Sequence, residues 1–505
     1  MLSNSLNMNK YNKILVLLLI ILGIASYGQQ NPYMDYVLSW DGVSSNLEVE
    51  LTYSKSDKDS TVFVFGDPSF GGQEDIFKVI KNIRASKPEE IKINEATRQI
   101  TIYHNGAKKH RISYEIDGSI SSNKPTLVSQ TELFRPIIAK GILTLVNKQF
   151  TLEVSDNSNP LVSISWRKYP KNFTYFNSVH PSQTDPFKKV TDQYDNFSQN
   201  MYFVLGENIS VKRYSVMDVP YYSVTTQEDK YGNDLQENLK PFFENYFPSI
   251  LRFWEDNGFT FYYLAVTALQ NNQDEIGAGG FGAKNGFVMK LGTKFGTWEK
   301  YVTAHETAHT WIGIKIILGD DSFDNQWFGE GFADYTAIIN LINSQIFDKE
   351  DFLNYLNEKN LKPHYMSRIK DVHNDSIIAK FWTDYGNYGK LPYRRGFIYA
   401  FYLDNQIRLA SMGKFTIRNM LLDLYKLRKE KNKDEALTVD DFINVGAFYL
   451  DRNLLTLQVQ RHMIEGQSID FKHIKLVNEF KIEINNDVPN VSLTEGADLL
   501  KLYRW

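Results

Sequence analysis

Apolar and polar residues alternate in short runs through the N-terminal part of the chain. Tyr36–Trp40, Leu47–Tyr53, Thr61–Phe65, Ile100–Tyr103 and Arg111–Ile116 read this way, and similar runs continue through Leu143–Val154 and Leu161–Trp166. A period of two puts one face of each run against a core. Clusters of Gly, Asn, Asp and Lys break the runs, so each predicts a short strand. Asn105-Gly106 between two of them is a hairpin signal. The polar stretch Ser182–Asn200 marks a boundary. Residues 29–205 are therefore expected to form an antiparallel β-rich domain.

From about residue 218 the pattern changes. Leu235–Asp256 has helical spacing, with Leu239, Phe242, Phe243, Tyr246 and Phe247 on one face. Phe259–Leu269 reads as a buried strand. A glycine-rich stretch, Gly277–Gly286, precedes a second strand through Phe287, Val288, Met289 and Leu291. Two helical patterns follow. The first has Thr297 as its cap, Glu299 in its first turn and Gly313 at its end; the second runs from Gln326 to Asn343. Residues 218–345 form the expected central domain. Residues 346–485 read as a helical C-terminal domain, and 486–505 as a tail. The fold class is multidomain α+β.

The N-terminus adds a compartment. Lys10 and Lys13 precede an apolar run of 12 residues, Ile14–Ala25, with small residues at Ser26 and Gly28. This is the pattern of a secretory signal peptide, residues 1–28, cleaved after Gly28. The run is too short for an ordinary spanning helix, so no stable membrane anchor is expected after cleavage. The product would be secreted or periplasmic. Net charge is −4 with no long basic run, so nucleic acid is not an expected partner. There are no cysteines, so any metal must be held by His and carboxylate.

Such ligands are present. His305-Glu306-Thr307-Ala308-His309 spells HExxH within the first helical pattern. Positions i and i+4 share a helix face, so both imidazoles point to one spot. Glu330 follows on the second helix. Two His nitrogens and one carboxylate make a three-ligand zinc site with a fourth position open to water. Glu306 is placed to take a proton from that water. Asp334 shares a face with Glu330, where it can hold the outer ring N–H of a ligating His. The competing reading, a chance match on a solvated helix face, is weakened by Ala304, Ala308, Trp311 and Ile312, which pack the helix inside a domain. His104, His110, His180, His364, His373, His462 and His473 show no ligand spacing.

Gly277–Gly282 formally matches GxGxxG. A dinucleotide site needs a strand directly before it and a helix directly after, and neither is expected here. A plain glycine loop and a substrate-binding edge are the remaining readings. The second is preferred, with Gly279, Gly280, Phe281 and Gly282 letting a peptide backbone approach.

The segments HETAHTWIG and WFGEGFADY resemble the gluzincin metallopeptidases, in particular the aminopeptidase N and glycyl aminopeptidase families. Twenty residues separate His309 from Glu330, slightly more than is usual in the former. Glu330-Gly331-Phe332-Ala333 is similar to that family's Glu-Gly-Phe-Ala. Val62-Phe-Val-Phe-Gly-Asp-Pro-Ser-Phe, Gly279-Gly280-Phe281 and Ile464-Glu465-Gly466-Gln467-Ser468-Ile469 resemble segments of the glycyl aminopeptidase group, to which the chain looks closest. The resemblance implies a thermolysin-like catalytic domain over 218–345 and one zinc per chain. It also implies a Tyr that stabilises the oxyanion, in a Tyr-x-Lys-Gly setting. Tyr393-Arg394-Arg395-Gly396 is the nearest match, with Tyr385 and Tyr388 as alternatives.

Two departures from the family pattern stand out. These families carry a Glu in the Gly-rich segment that receives a substrate's free amine. Gly280–Asn285 has no acidic residue, although Glu275 could fold into the role. The PDZ domain common after the glycyl aminopeptidase catalytic region is not expected within 505 residues. The expected function is a zinc metallopeptidase acting on peptides or unfolded proteins. The alternatives are a catalytically degenerate peptide-binding relative and a zinc hydrolase of a non-peptide amide or ester.

Overall fold

The computed structural model describes residues 33–505, apart from 55–58, 66–68, 71–72, 75, 87–90, 105, 107–108, 120–135, 147–149, 156–158, 269–277, 293, 320–323 and 433–434. The signal-peptide reading of residues 1–28 and the candidate Glu275 lie outside the described residues. Among the described residues, no helix is long and apolar enough to cross a membrane.

The alternating runs form strands. Asn46–Ser54 and Lys109–Asp117 bury every second residue and pair with each other. They belong to a six-stranded sheet, which neighbours two four-stranded sheets. Pairing in these sheets is antiparallel with one exception: Tyr33–Ser39 runs parallel to Leu161–Lys168. The Asn105-Gly106 signal does not close a hairpin. The flanking strands Gln99–Tyr103 and Lys109–Asp117 sit in different sheets, so the chain crosses between layers there. A hydrophobic cluster from Met34 to Leu205 fills the space between the sheets.

Ile209–Val216 and Val219–Thr226 form a hairpin whose turn residues, Met217 and Asp218, both have positive φ, as a tight two-residue turn requires. The hairpin starts a five-stranded mixed sheet. Its central strands, Tyr262–Ala268 and Gly286–Leu291, are buried at every position, because helices and the N-terminal module cover both faces. The glycine-rich stretch is not a loop. Ala278–Ala283 pairs antiparallel with Gly286–Leu291 and forms the edge of this sheet.

The Leu235–Asp256 pattern is helical but interrupted. Leu235–Pro241 and Phe247–Trp254 are α-helical, and Phe242–Tyr246 between them is a π-turn. Pro241 lacks an N–H and crowds the preceding turn, so the helix widens there. The HExxH helix spans Thr297–Ala308, with Gly296 rather than Thr297 at its cap. The Glu299 carboxylate accepts a hydrogen bond from Gly296 N–H at 2.9 Å, which locks that first turn. The helix ends at Ala308, short of the expected Gly313. That glycine has φ +91° and turns the chain onward. The second helix is Gln326–Asn343, as its pattern predicts.

Residues beyond 345 are mostly helical, and Leu391–Ala410 packs across Gln326–Asn343. Two glycines permit the crossing. A Cβ on Gly331 would lie 2.3 Å from Gly396 Cα, and one on Gly396 would lie 1.9 Å from the Trp327 carbonyl oxygen. Residues 486–505 are packed into the same body. Val488–Leu493 pairs with Phe480–Asn485, and Tyr503 is buried against Tyr335 and Phe352. Trp505 Nε1 donates to Ser249 O at 3.3 Å. One hydrophobic cluster joins Val216 to Tyr503.

Candidate metal centre

The two helices bring the three ligand types together. His305 and His309 project from one turn of Thr297–Ala308 and its C-cap, and Glu330 from the first turns of Gln326–Asn343. One ligand atom from each lies within 4.8 Å of the others. The two Nε2 atoms are 3.0 Å apart, and Glu330 Oε2 is 3.3 Å from His305 Nε2 and 3.4 Å from His309 Nε2. Donors about 2.0–2.2 Å from a tetrahedral ion are separated by about 3.3 Å, so the triangle has the right size for zinc.

Chemistry supports the fit. His309 Nδ1 lies 3.0 Å from the Ile312 carbonyl oxygen, an acceptor that fixes the proton on Nδ1. His305 Nδ1 is 2.5 Å from Asp334 Oδ1, an ion-pair contact rather than an aligned hydrogen bond. With both Nδ1 atoms committed outward, two Nε2 lone pairs and a carboxylate oxygen face one point. Glu330 Oε2 is buried and without a hydrogen-bond partner. Three converging acceptors repel one another unless a cation or a shared proton lies between them.

The electrostatics carry the same signature. Burial alone would lower both imidazoles, but Asp334 and Glu330 outweigh it and raise His305, and Glu330 likewise raises His309. Glu330 is driven well below the usual carboxylate range: burial opposes this, and His309 and His305 overcome it. A metal entering such a site displaces protons. Glu306 is partly buried, and burial raises its carboxyl against the pull of His305 and His309.

Asp334 is held from three sides. Besides His305, it accepts from Tyr301 Oη at 2.5 Å and from Tyr355 Oη at 3.0 Å. Sequence reasoning found Asp334 and missed both tyrosines. Tyr301 was accessible as the residue one turn before His305, whereas Tyr355 comes from a separate helix and left no local signal.

The three candidate tyrosines part company. Tyr393 stacks on His305, with ring centroids 5.8 Å apart. Its hydroxyl is 3.4 Å from Tyr385 Oη, which donates to it. Burial, then the Glu330 charge, raises the Tyr393 phenol, so it remains a neutral donor. Tyr388 turns to Lys380, whose Nζ is 3.3 Å from its hydroxyl.

The glycine strand runs beside the HExxH helix. At Gly280 the space a side chain would take is filled by the Phe287 ring, 2.0 Å from a virtual Cβ. Gly282 keeps open room, with only Ile314 Cδ1 at 3.6 Å. Gly279 and Phe281 pair with Lys290 and Val288 on the inner side of the strand. Lys284 Nζ donates to Asn196 Oδ1 at 2.6 Å and is thereby drawn to the N-terminal module.

No family model and no curated protein sequence matches this chain. Its fold does match solved structures. One is an aminopeptidase N family protein from Idiomarina loihiensis, with a TM-score of 0.68 at 15% identity, covering 85% of this chain and 75% of that one. The fold is thus aminopeptidase N-like: β-rich sheets at the N-terminus and helices at the C-terminus, around a His/His/Glu group able to hold a metal.

Proposed function

We propose that this chain is a zinc-dependent peptidase of the gluzincin type, closest to the glycyl aminopeptidase group, with a thermolysin-like catalytic unit. The observation that carries this reading is the convergence of His305, His309 and Glu330, with the buried Glu330 Oε2 facing both Nε2 atoms. These three residues would hold the zinc. When bound, the ion supplies Lewis acidity toward a water and toward the scissile carbonyl. Glu306 accepts the water's proton and returns it to the leaving amine. Tyr393 donates its O–H to the oxygen that gains charge, while Tyr385 donates to Tyr393 and leaves that proton available. Asp334 pairs with His305 Nδ1, and Tyr301 and Tyr355 hold Asp334.

Substrates are short or unfolded peptides laid along the Ala278–Ala283 edge, whose outer side has no strand partner among the described residues. The N-terminal signal would export the protein to the periplasm or beyond. The strand has no carboxylate to hold a free amine, so internal bonds and N-acetylated peptides should be cleaved. Incubating the purified, zinc-loaded protein with matched free and acetylated peptides, with and without chelator, tests this. Chelator-insensitive cleavage would remove the role of zinc, and no cleavage at all would remove the peptidase reading. A strict requirement for the free amine would convert it to an aminopeptidase.

A further inference from the structure

The wall that carries Tyr393 also carries a cation. Lys390 begins the Leu391–Ala410 helix and reaches back over two rings. Its Nζ lies 4.7 Å from the Tyr385 ring centroid and 4.8 Å from that of Tyr393. One donor goes to Tyr385 Oη at 3.3 Å. Among the described residues, the contacts of Lys390 Nζ are these rings and this hydroxyl, with no ion pair to a carboxylate. Two of its three donors have no hydrogen-bond partner among the described residues. The contacts of 3.3 and 3.4 Å through Tyr385 keep Nζ within about 7 Å of the Tyr393 hydroxyl, roughly two residues of extended chain. Trp382, 47% exposed, stacks parallel to Tyr385 with centroids 5.9 Å apart and continues the wall outward.

We infer that Lys390 is a specificity residue that binds a substrate carboxylate. The enzyme would then favour peptides with an acidic group within two residues of the cleaved bond. This inference rests on the peptidase reading. The rings explain how an ammonium can be stationed there: the tyrosine faces hold the charge without neutralising it. A carboxylate partner would have cancelled it. An anionic substrate group completes the coordination of the half-buried Lys390 with a charge-assisted hydrogen bond. The same wall disfavours a cationic neighbour. The absence of an acidic residue from Gly280–Asn285 acts in the same direction, because nothing in that strand segment attracts an ammonium group.

The carboxylate has two possible sources, an Asp or Glu side chain and the peptide's own C-terminus. A matched series separates them: one peptide frame carrying Gln, Glu or Lys beside the bond, each as free acid and as C-terminal amide. For the wild type, the Glu peptide or the free acid should exceed its neutral partner in kcat/KM by about tenfold or more. The ratio, not the basal rate, is the readout. In Lys390→Gln it should fall to near unity, and in Lys390→Glu it should invert in favour of the Lys peptide. Zinc content and circular dichroism establish that the variants are folded.

Binding of the same peptides to zinc-loaded Glu306→Gln protein, measured by calorimetry, reads the discrimination without turnover. Absence of cleavage with charge-selective binding would overturn the peptidase reading and leave Lys390 standing. Equal binding of Glu, Gln and Lys peptides, or selectivity unchanged in Lys390→Gln, would overturn the inference.

Discussion

Replacing Gly396 by Ala would place a methyl carbon 1.9 Å from the Trp327 carbonyl oxygen and 2.8 Å from Gly331 Cα. Both obstacles are helix backbone, so no side-chain rotation relieves the clash. Ordinary van der Waals contact requires Leu391–Ala410 to retreat from Gln326–Asn343 by roughly 1.5 Å. Overpacking a dense core typically costs about 1–3 kcal/mol, and a rigid backbone clash belongs at the upper end. The retreat also carries Tyr393, one turn earlier on the same helix, away from His305. A displacement of about 1 Å is enough for a loss on the order of 10² in kcat. The assay pairs urea unfolding, followed by tryptophan fluorescence, with kcat on a cleaved peptide. The control is Gly329→Ala on the facing helix, where nothing lies within 4 Å of the added carbon. That change should stabilise by about 0.5–1 kcal/mol, the ordinary helical preference for Ala. If Gly396→Ala unfolds within about 0.5 kcal/mol of wild type and keeps its kcat, the glycine contact does not set the helix crossing.

Other outcomes follow from the site. Glu306→Gln should keep zinc and lose about 10²–10⁴ in turnover; activity within tenfold of wild type would remove its role as base. Tyr393→Phe should lower kcat by about 10²–10³ with little change in KM, and a neutral Tyr393→Phe beside a crippled Tyr385→Phe would move the role to Tyr385. Asp334→Asn should weaken zinc binding about 10–100-fold in a chelator competition, while keeping ligand number. His364 provides a pH test: burial, then the Arg395 guanidinium, pulls it from its ordinary 6.5 down to about 3. The folded imidazole stays neutral where the unfolded one takes a proton, so its contribution is complete above pH 6.5 and lost as pH falls toward 3. Each unit in that window costs about 1.4 kcal/mol. Between pH 6.5 and 5 wild type should lose about 2 kcal/mol more than His364→Leu, and parallel urea profiles would refute the assignment.

Much of the site was legible because its logic is local. His305 and His309 share a face through helical periodicity alone, and the Gln326–Asn343 pattern matched the observed helix end to end. Glu330 and Asp334 lie one turn apart on that helix, so both could be placed before any fold was known. The alternating runs announced their strands for the same reason, since a period of two is a property of neighbouring residues.

Partnership between distant segments was not written in any window. Asn105-Gly106 looks like a hairpin turn locally, but layer packing sends its flanking strands to different sheets. The glycine-rich stretch read as a loop or an edge because glycine says little about pairing, and only Gly286–Leu291 alongside it makes it a strand. Residues 486–505 looked like a tail, yet Tyr503 and Trp505 find partners more than a hundred residues away. Which of Tyr385, Tyr388 and Tyr393 stacks on His305 depended on how one helix crosses another. Gly331 and Gly396 decide that crossing, and each lacks a side chain for a reason visible only in the other. Local sequence determined which residues share a face; the tertiary structure decided which faces meet, because close packing depends on atoms from chain segments that sequence order does not bring together.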